Sequence, residues 1–200
     1  MKSSEFLLKK FDAKHGEICQ RSTTAHKDDK QLSYHSYYRG DEGEEAIALL
    51  YNSGFRRDEA RNIRLADIKT VGGAGGDKIS ITVTGKGGKK RAVTVNAATT
   101  SIVRAFARLQ ARRGKTCLFS GQKENVPLSG SAFYRIVKSV CVGAGHPTAS
   151  CHHLRHCFAS HSLAGGATVQ DVRSACGHTS LSTTSRYLHS SSSSCASDFM

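Results

Sequence analysis

The sequence has no run of about 20 apolar residues, the length that a helix needs to cross a bilayer, so no membrane span is expected. The opening stretch, MKSSEFLLKKFDAKHGE, has too short an apolar segment for a secretory signal peptide. Seven cysteines are an odd number, and without a secretion signal they argue against a disulfide framework. These features together predict a cytoplasmic protein.

Acidic residues are scarce. Only 16 Asp and Glu stand against 29 Lys and Arg, which gives a formal net charge of +13 over 200 residues. Such an excess of positive charge is typical of proteins that bind the phosphates of nucleic acids, although a merely basic globular protein is the alternative. With 38% apolar residues, the chain can bury the core of one domain of ordinary size, with or without an arm.

Composition divides the chain into three parts. Residues 1–40 are polar and basic with little apolar periodicity, which predicts an N-terminal arm that is flexible or contacts DNA. Residues 41–189 carry the periodic segments and are expected to form the folded domain. Residues 190–200, SSSSSCASDFM, form a serine-rich tail, which is too polar for a helix to be predicted there.

The middle part predicts a mainly α fold with one small antiparallel β-sheet. ISITVT and RAVTV are β-rich runs on either side of GKGGKK, which indicates a strand, a turn and a second strand. Helical patterns are EEAIALLYNSG, RRDEARNIRL, TTSIVRAFARLQARR, SGSAFYRIVKSVCVGAG, HHLRHCFASHSLAGG, TVQDVRSACG and SLSTTSRYLH.

Six residues with chemistry suited to phosphoryl transfer are distributed along these segments. They are Arg56, Lys86, His152, Arg155, His178 and Tyr187. A tyrosine phenol can attack phosphorus if it is activated, since its pKa of about 10 leaves it almost fully protonated at neutral pH. Arginine forks suit the charge that builds on the phosphate oxygens, and a lysine or histidine can protonate the leaving 5′-oxygen.

The order and contexts of these residues resemble the catalytic domain of the tyrosine recombinases, the phage integrase family with its Xer and Cre branches. Arg56 follows the pair Gly54-Phe55, Lys86 lies in Gly85-Lys86-Gly87, and His152-x-x-Arg155 resembles the HxxR motif. His178 follows Gly177, and Tyr187 comes nine positions later, a spacing common in the family. Any one motif is weak, but six in order over about 150 residues are specific.

The resemblance implies a role for each position. Tyr187 is the nucleophile, Arg56 and Arg155 clamp the scissile phosphate, Lys86 is the general acid, and His152 and His178 complete the site. Glu59 matches an acidic residue that supports the first arginine. We expect exposed basic residues around the hairpin to hold DNA phosphates without selecting a base sequence. They are Arg57, Lys89, Lys90 and Arg91.

The activity that the resemblance implies is site-specific DNA recombination through a 3′-phosphotyrosine link, giving integration, excision or inversion, with no metal and no cofactor. The alternatives are a type IB topoisomerase-like relaxing enzyme and a non-catalytic DNA-binding protein of the same fold. The implied partners are double-stranded DNA, further copies of the chain on paired DNA sites, and accessory DNA-bending proteins, all at the nucleoid.

Several features depart from the family pattern. His153 stands where the family usually has Asp, and VRSAC is poorer in leucine than the usual helix before Gly-His. The 40 or so residues before the domain are too few for the N-terminal clamp domain of many members, and the tail does not resemble their docking helix. The run Cys151 to Cys157, C-H-H-x-x-H-C, suggests zinc, but its spacing matches no common zinc pattern. We expect Cys157 and Cys176 to be small core residues.

Overall fold

The structure is a computed structural model that describes residues 41–72, 77–121 and 125–177. Its helices are α1 Asp41–Ser53, α2 Arg57–Arg61, α3 Ala97–Arg112, α4 Gly130–Gly143, α5 Cys151–Ala164 and α6 Val169–Cys176. Its strands are β1 Ile68–Val71, β2 Lys78–Thr84 and β3 Lys90–Thr94, and short 3₁₀ turns span Leu65–Asp67 and Lys86–Gly88. Within these residues, no helix has both the length and the apolarity to cross a bilayer.

The three strands form one antiparallel sheet in the order β1-β2-β3. Ile81 of β2 lies opposite Ile68 on one side and Val93 on the other. Along β2, Ile79, Ile81 and Val83 are buried while the residues between them are less so, because alternate side chains of a strand point to opposite faces. The predicted class, mainly helical with one small antiparallel sheet, is confirmed.

The core lies where α1 packs against α3, α4 and α5, with the sheet along one side. Leu49 and Leu50 of α1 are fully buried there together with Leu154 of α5. Phe119 and Phe133 meet edge to face with ring centroids 5.0 Å apart, a favourable arrangement for aromatic pairs. This packing fixes α5 against α1, so the loop after α1 and the inner face of α5 are held close together.

Two elements differ from the sequence expectation. The second helix was predicted over RRDEARNIRL, residues 56–65, but α2 ends at Arg61. Ile63 is buried, and its carbonyl accepts a hydrogen bond from the Leu118 amide, so the chain leaves the helix to pair with a distant segment. Strand β1 follows and was not predicted, since only Ile68 of its residues is even partly buried. The predicted segment SLSTTSRYLH lies outside the described residues.

Candidate active site

Arg56 is fixed at the N-terminus of α2, directly after a tight turn. Gly54 makes that turn with φ +63°, and a Cβ at this position would come within 2.4 Å of the Phe158 ring. The Arg56 backbone N–H donates to Glu59 Oε2 at 2.7 Å, and its Nη1 donates to Glu59 Oε1 at 2.9 Å. Its Nη2 also donates to the Gly177 carbonyl at 3.0 Å. The Arg56 side chain is still 38% exposed, so it can reach a ligand.

Glu59 is the buried acceptor at the centre of the site, with a side chain only 3% exposed. Burial alone would raise the pKa of its carboxyl group, but hydrogen bonds from Arg91 and from the Arg56 backbone outweigh it and lower the pKa to about 2. Glu59 is therefore ionised at neutral pH. A buried carboxylate of this kind is stable only while its cationic partners stay in place.

The sequence predicts that Arg91 is exposed near the hairpin, and this prediction is wrong. Its side chain is only 17% exposed and grips Glu59 with both terminal nitrogens, at 2.7 and 2.8 Å. Its Nε donates to the Ala175 carbonyl at 3.0 Å, and its guanidinium lies 5.9 Å from the centre of the Phe55 ring. The physical reason is the buried carboxylate, which draws a fork-shaped cation inward.

A signal for this position was present in the sequence. Arg91, Val93 and Val95 alternate along β3 and its extension, so they point to one face of the sheet. Val93 and Val95 are buried, and Arg91 lies opposite Val83, which is buried too. Side chains directly across an antiparallel pair share a face, so the alternation places Arg91 on the inner side.

Arg155 is buried on the inner face of α5. Its Nη1 donates to the Gly54 carbonyl, and its Nη2 donates to the Cys176 carbonyl at 2.8 Å. Burial and the nearby charges of Arg56 and Arg91 lower the pKa of Arg155, but an arginine starts so high that it stays protonated. Arg155 therefore brings a fixed positive charge to the turn that precedes Arg56.

The three arginines meet at the C-terminal end of α6. The Ala175 carbonyl accepts a hydrogen bond from Arg91. The Cys176 carbonyl accepts from both Arg56 and Arg155, and the Gly177 carbonyl accepts from Arg56. The last carbonyls of a helix lack partners within it and carry the negative end of the helix dipole, so they favour cations. Gly177 ends α6 in the left-handed conformation, with φ +62°. Three guanidinium groups around one carboxylate leave this cluster positively charged.

His152 lies in the first turn of α5 and is exposed. Its Nε2 is 2.7 Å from Nε2 of His156 one turn later, and the rings meet edge to face. The pKa of His152 is lowered by partial burial and by the positive charge of Arg155 and His153. The pKa of His156 is lowered to about 4 by burial and by the charges of His152, His153 and Arg155. Both rings are therefore neutral at neutral pH, and one of the two nitrogens donates to the other.

The remaining predicted residues surround this cluster or lie beyond what is described. The backbone of Lys86 lies in the 3₁₀ turn between β2 and β3, and the turn is closed by the Gly85 amide donating to the Lys89 carbonyl at 2.8 Å. Lys89 and Lys90 are exposed, and Arg57 is half-exposed beside Asp58 at 3.2 Å. His178 and Tyr187 lie outside the described residues, one position and ten positions beyond Gly177.

The cysteines and histidines of the zinc-like run separate onto different faces of α5. Cys151 and Cys157 are buried in the core, whereas His152, His153 and His156 are exposed. In the part of the chain that the structure describes, no three His, Cys, Asp or Glu side chains are placed to hold a metal ion.

The family of the chain follows from its match to known proteins. The model of the phage integrase family matches residues 23–194, most of the chain. This chain belongs to the phage integrase family. It is 34% identical over 148 residues to tyrosine recombinase XerD of Corynebacterium glutamicum, which covers 72% of this chain and 46% of that protein. It is 35% identical over 147 residues to tyrosine recombinase XerC of Pelobacter propionicus, with the same coverage.

Solved structures of integrase-family proteins have the same fold. The XerH site-specific recombinase bound to its difH substrate in a pre-cleavage complex gives a TM-score of 0.62 at 27% identity, over 74% of this chain and 42% of that one. A lambda integrase dimer bound to a core site gives 0.56 at 18% identity, over 96% of this chain and 73% of that one, which supports the fold alone. The matched region spans less than half the length of the XerC and XerD relatives.

Proposed function

We propose that this chain is the catalytic domain of a site-specific DNA recombinase that breaks and rejoins DNA through a 3′-phosphotyrosine intermediate. The observation that carries the proposal is the meeting of Arg56 and Arg155 on one carbonyl, that of Cys176, two residues before His178. A phosphate placed against this cluster would be contacted by one arginine at the N-terminus of α2 and one on the inner face of α5. Preorganised cations of this kind are the main source of rate enhancement when charge develops on phosphate oxygens.

In the proposed reaction, the Tyr187 oxygen attacks phosphorus and the bond from phosphorus to the 5′-oxygen breaks. Lys86 gives the leaving oxygen its proton, one of His152 and His178 accepts the proton that the Tyr187 phenol loses, and both histidines hold the phosphate. The bond energy is kept in the phosphotyrosine, so the 5′-hydroxyl of another strand can attack it and release the tyrosine. Strand exchange needs no net hydrolysis in this scheme.

The proposed partners follow from the charge and from the neighbours. A net charge of +13 favours double-stranded DNA, with Arg57, Lys89 and Lys90 as phosphate contacts around the site. XerH, at 27% identity, was solved bound to its difH substrate. We therefore propose that copies of this chain assemble on paired DNA sites, with accessory DNA-bending proteins, at the nucleoid of the cytoplasm. The boundaries of the arm and the tail at residues 40 and 190 belong to the same proposal.

The test is covalent trapping on a nicked suicide duplex drawn from DNA that flanks the chain's own gene. The wild-type chain should form a DNA adduct that survives denaturation, and Tyr187→Phe should form none while binding the duplex as before. Tyr134→Phe, at an exposed tyrosine of α4, is the matched control and should still be trapped. Trapping of the Tyr187→Phe variant would disprove the assignment of the nucleophile.

Further results of the same assay separate the alternatives. Lys86→Ala should fail on ordinary DNA but cleave a duplex with sulfur at the bridging 5′-position, because a thiolate leaves without a proton. Binding without trapping by the wild type would indicate a non-catalytic DNA-binding protein. Relaxation of plasmids with no requirement for paired sites would indicate a topoisomerase-like activity.

A further inference from the structure

Arg91 connects three separate parts of the molecule. It belongs to β3, it grips both carboxylate oxygens of Glu59 in α2, and it donates to the carbonyl of Ala175 in the last turn of α6. Glu59 in turn holds Arg56 through the backbone and the side chain of that arginine. A single carboxylate and a single guanidinium therefore connect the first catalytic arginine, the hairpin and the end of α6.

The contacts leave Arg91 poorly suited to hold a DNA phosphate. All three of its guanidinium nitrogens donate to protein acceptors at 2.7 to 3.0 Å. If Arg91 bound a phosphate instead, the buried carboxylate of Glu59 would lose one of its two cationic partners, and that loss is costly. Lys89 and Lys90 on the same hairpin are exposed and carry no such restriction.

The guanidinium of Arg91 also packs directly against the residue that ends α6. A Cβ on Gly177 would lie 2.9 Å from Nη1 of Arg91 and 3.0 Å from its Cζ, closer than such atoms normally approach. Gly177 has φ +62°, so glycine suits both the conformation and the close packing. The residue that follows in the chain is His178.

We propose that Arg91 is a positioning residue: it fixes the hairpin that carries Lys86 and the end of α6 that precedes His178 relative to Arg56. This inference rests on the proposed recombinase function, since it concerns the geometry of that site. An arginine is needed because its planar fork reaches both oxygens of Glu59 while Nε reaches Ala175, whereas the ammonium of a lysine is a single point of charge.

The first test compares Arg91→Lys and Arg91→Ala with the wild type in binding to a short duplex of mixed sequence at several salt concentrations. The slope of log affinity against log salt should stay at the wild-type value in both variants. Lys90→Ala is the reference for an exposed phosphate contact and should lower that slope by about 1. A comparable fall in slope for Arg91→Lys or Arg91→Ala would overturn the proposal, because it would show that Arg91 contacts phosphate.

The second test is hydrogen exchange of backbone amides. In Arg91→Lys and Arg91→Ala, the backbone amides of α6 (Val169–Cys176) should exchange faster than in the wild type. The amides of α4 (Gly130–Gly143) should exchange at the wild-type rate. Arg112→Lys, the same change at an exposed position of α3, should alter neither helix. Wild-type protection of α6 in Arg91→Lys would overturn the proposal. Because Arg91→Lys keeps a charge beside Glu59, it provides this measurement even if Arg91→Ala does not fold.

The third test is single-turnover cleavage of the suicide duplex at saturating DNA. Arg91→Lys should cleave about 100-fold more slowly, the usual consequence of displacing reacting groups by about 1 Å. A wild-type rate would overturn the proposal even if α6 exchanged faster. If the wild type itself never cleaves, the proposed function fails, and the exchange and salt results still decide whether Arg91 anchors α6 or binds phosphate.

Discussion

At the scale of single residues, Arg155 shows how the fold keeps a charged side chain in a nearly dry place. An isolated buried charge is costly, but hydrogen bonds to protein acceptors offset much of the cost. Arg155 finds two such acceptors, the carbonyl of Gly54 at a turn and that of Cys176 at a helix end, where carbonyls lack partners within the helix. The two carbonyls orient the guanidinium without any ligand present.

Arg155→Lys is predicted to lose activity although it keeps the charge. A lysine can direct its ammonium at one carbonyl but does not reproduce the fork that spans both. Loss of one preorganised donor at a charge-stabilising site typically slows the reaction by about 100- to 1,000-fold. An unpaired buried carbonyl should also cost about 1 to 3 kcal/mol of stability.

Single-turnover trapping and thermal unfolding check the two parts of this prediction. Arg112→Lys on the exposed face of α3 is the control and should change neither quantity. Near-normal cleavage by Arg155→Lys would contradict the assignment of Arg155 as a phosphate clamp.

The sequence alone identifies the candidate residues better than it identifies their neighbours. Motif spacing pointed to Arg56 and Arg155, and the structure brings both to the end of α6. The contacts of Arg91 could not be read in the same way, because its partner Glu59 is 32 residues away in the chain. Alternation along β3 indicates which face Arg91 occupies, but only the packing of α2 against the sheet shows that Glu59 contacts it there.

At the scale of elements, α5 combines a buried face and an exposed face that carry different chemistry. Cys151, Leu154 and Cys157 are buried at helical spacing, and His152 and His156 stand one turn apart on the outside. Burial raises the pKa of the Cys151 thiol to about 11, so it behaves as a small hydrophobic side chain at neutral pH. The helical period alone predicts this separation of the cysteines from the histidines.

The histidine pair predicts a loss of stability in mild acid. The folded-state pKa of His156 is lowered from 6.5 to about 4 by burial and by its positive neighbours, so the unfolded chain binds a proton that the folded chain rejects. Stability from this group is therefore complete above pH 6.5 and falls as the pH drops toward 4. Glu59, with its pKa of about 2 against 4.5, loses its contribution only at lower pH.

Thermal unfolding between neutral pH and pH 5 measures this effect. Over that interval, the melting temperature of His156→Gln should fall less than that of the wild type. The difference should be modest, because the histidine pair is half exposed to solvent. Arg112→Gln, at an exposed position of α3, is the control and should lose as much as the wild type. An equal loss in the wild type and in His156→Gln would show that other groups control the acid response.

Local sequence signals also determined how well each element was predicted. Helices α1, α3, α4, α5 and α6 and strands β2 and β3 were recognisable, because their apolar periodicity and their glycine ends agree with the tertiary packing. Strand β1 was missed since three of its four residues are exposed, so it has almost no apolar alternation. Its formation depends on pairing with β2, a partner that periodicity cannot reveal.

At the scale of the whole molecule, positive charge outweighs apolar surface. Among the described residues, the large hydrophobic side chains with substantial exposure are Val71, Val126, Tyr134 and Val142. They lie on β1, on the segment before α4 and on α4 itself. Copies of a chain with a net charge of +13 also repel one another in free solution.

We therefore predict that the chain is monomeric alone and assembles only on DNA that carries paired sites. DNA supplies the negative charge that neutralises the repulsion and holds two copies side by side, so association then needs little apolar contact. Residues 191–200 should contribute little to cleavage at one site, since ordering a serine-rich segment costs about 1 to 2 kcal/mol per residue with little burial in return.

Sedimentation velocity should show one small species without DNA, and larger complexes only with two sites on the duplex. A chain ending at residue 190 should still be trapped on a single site. A stable dimer without DNA would contradict the prediction, and loss of single-site trapping in the shortened chain would show that the tail docks on a partner before cleavage.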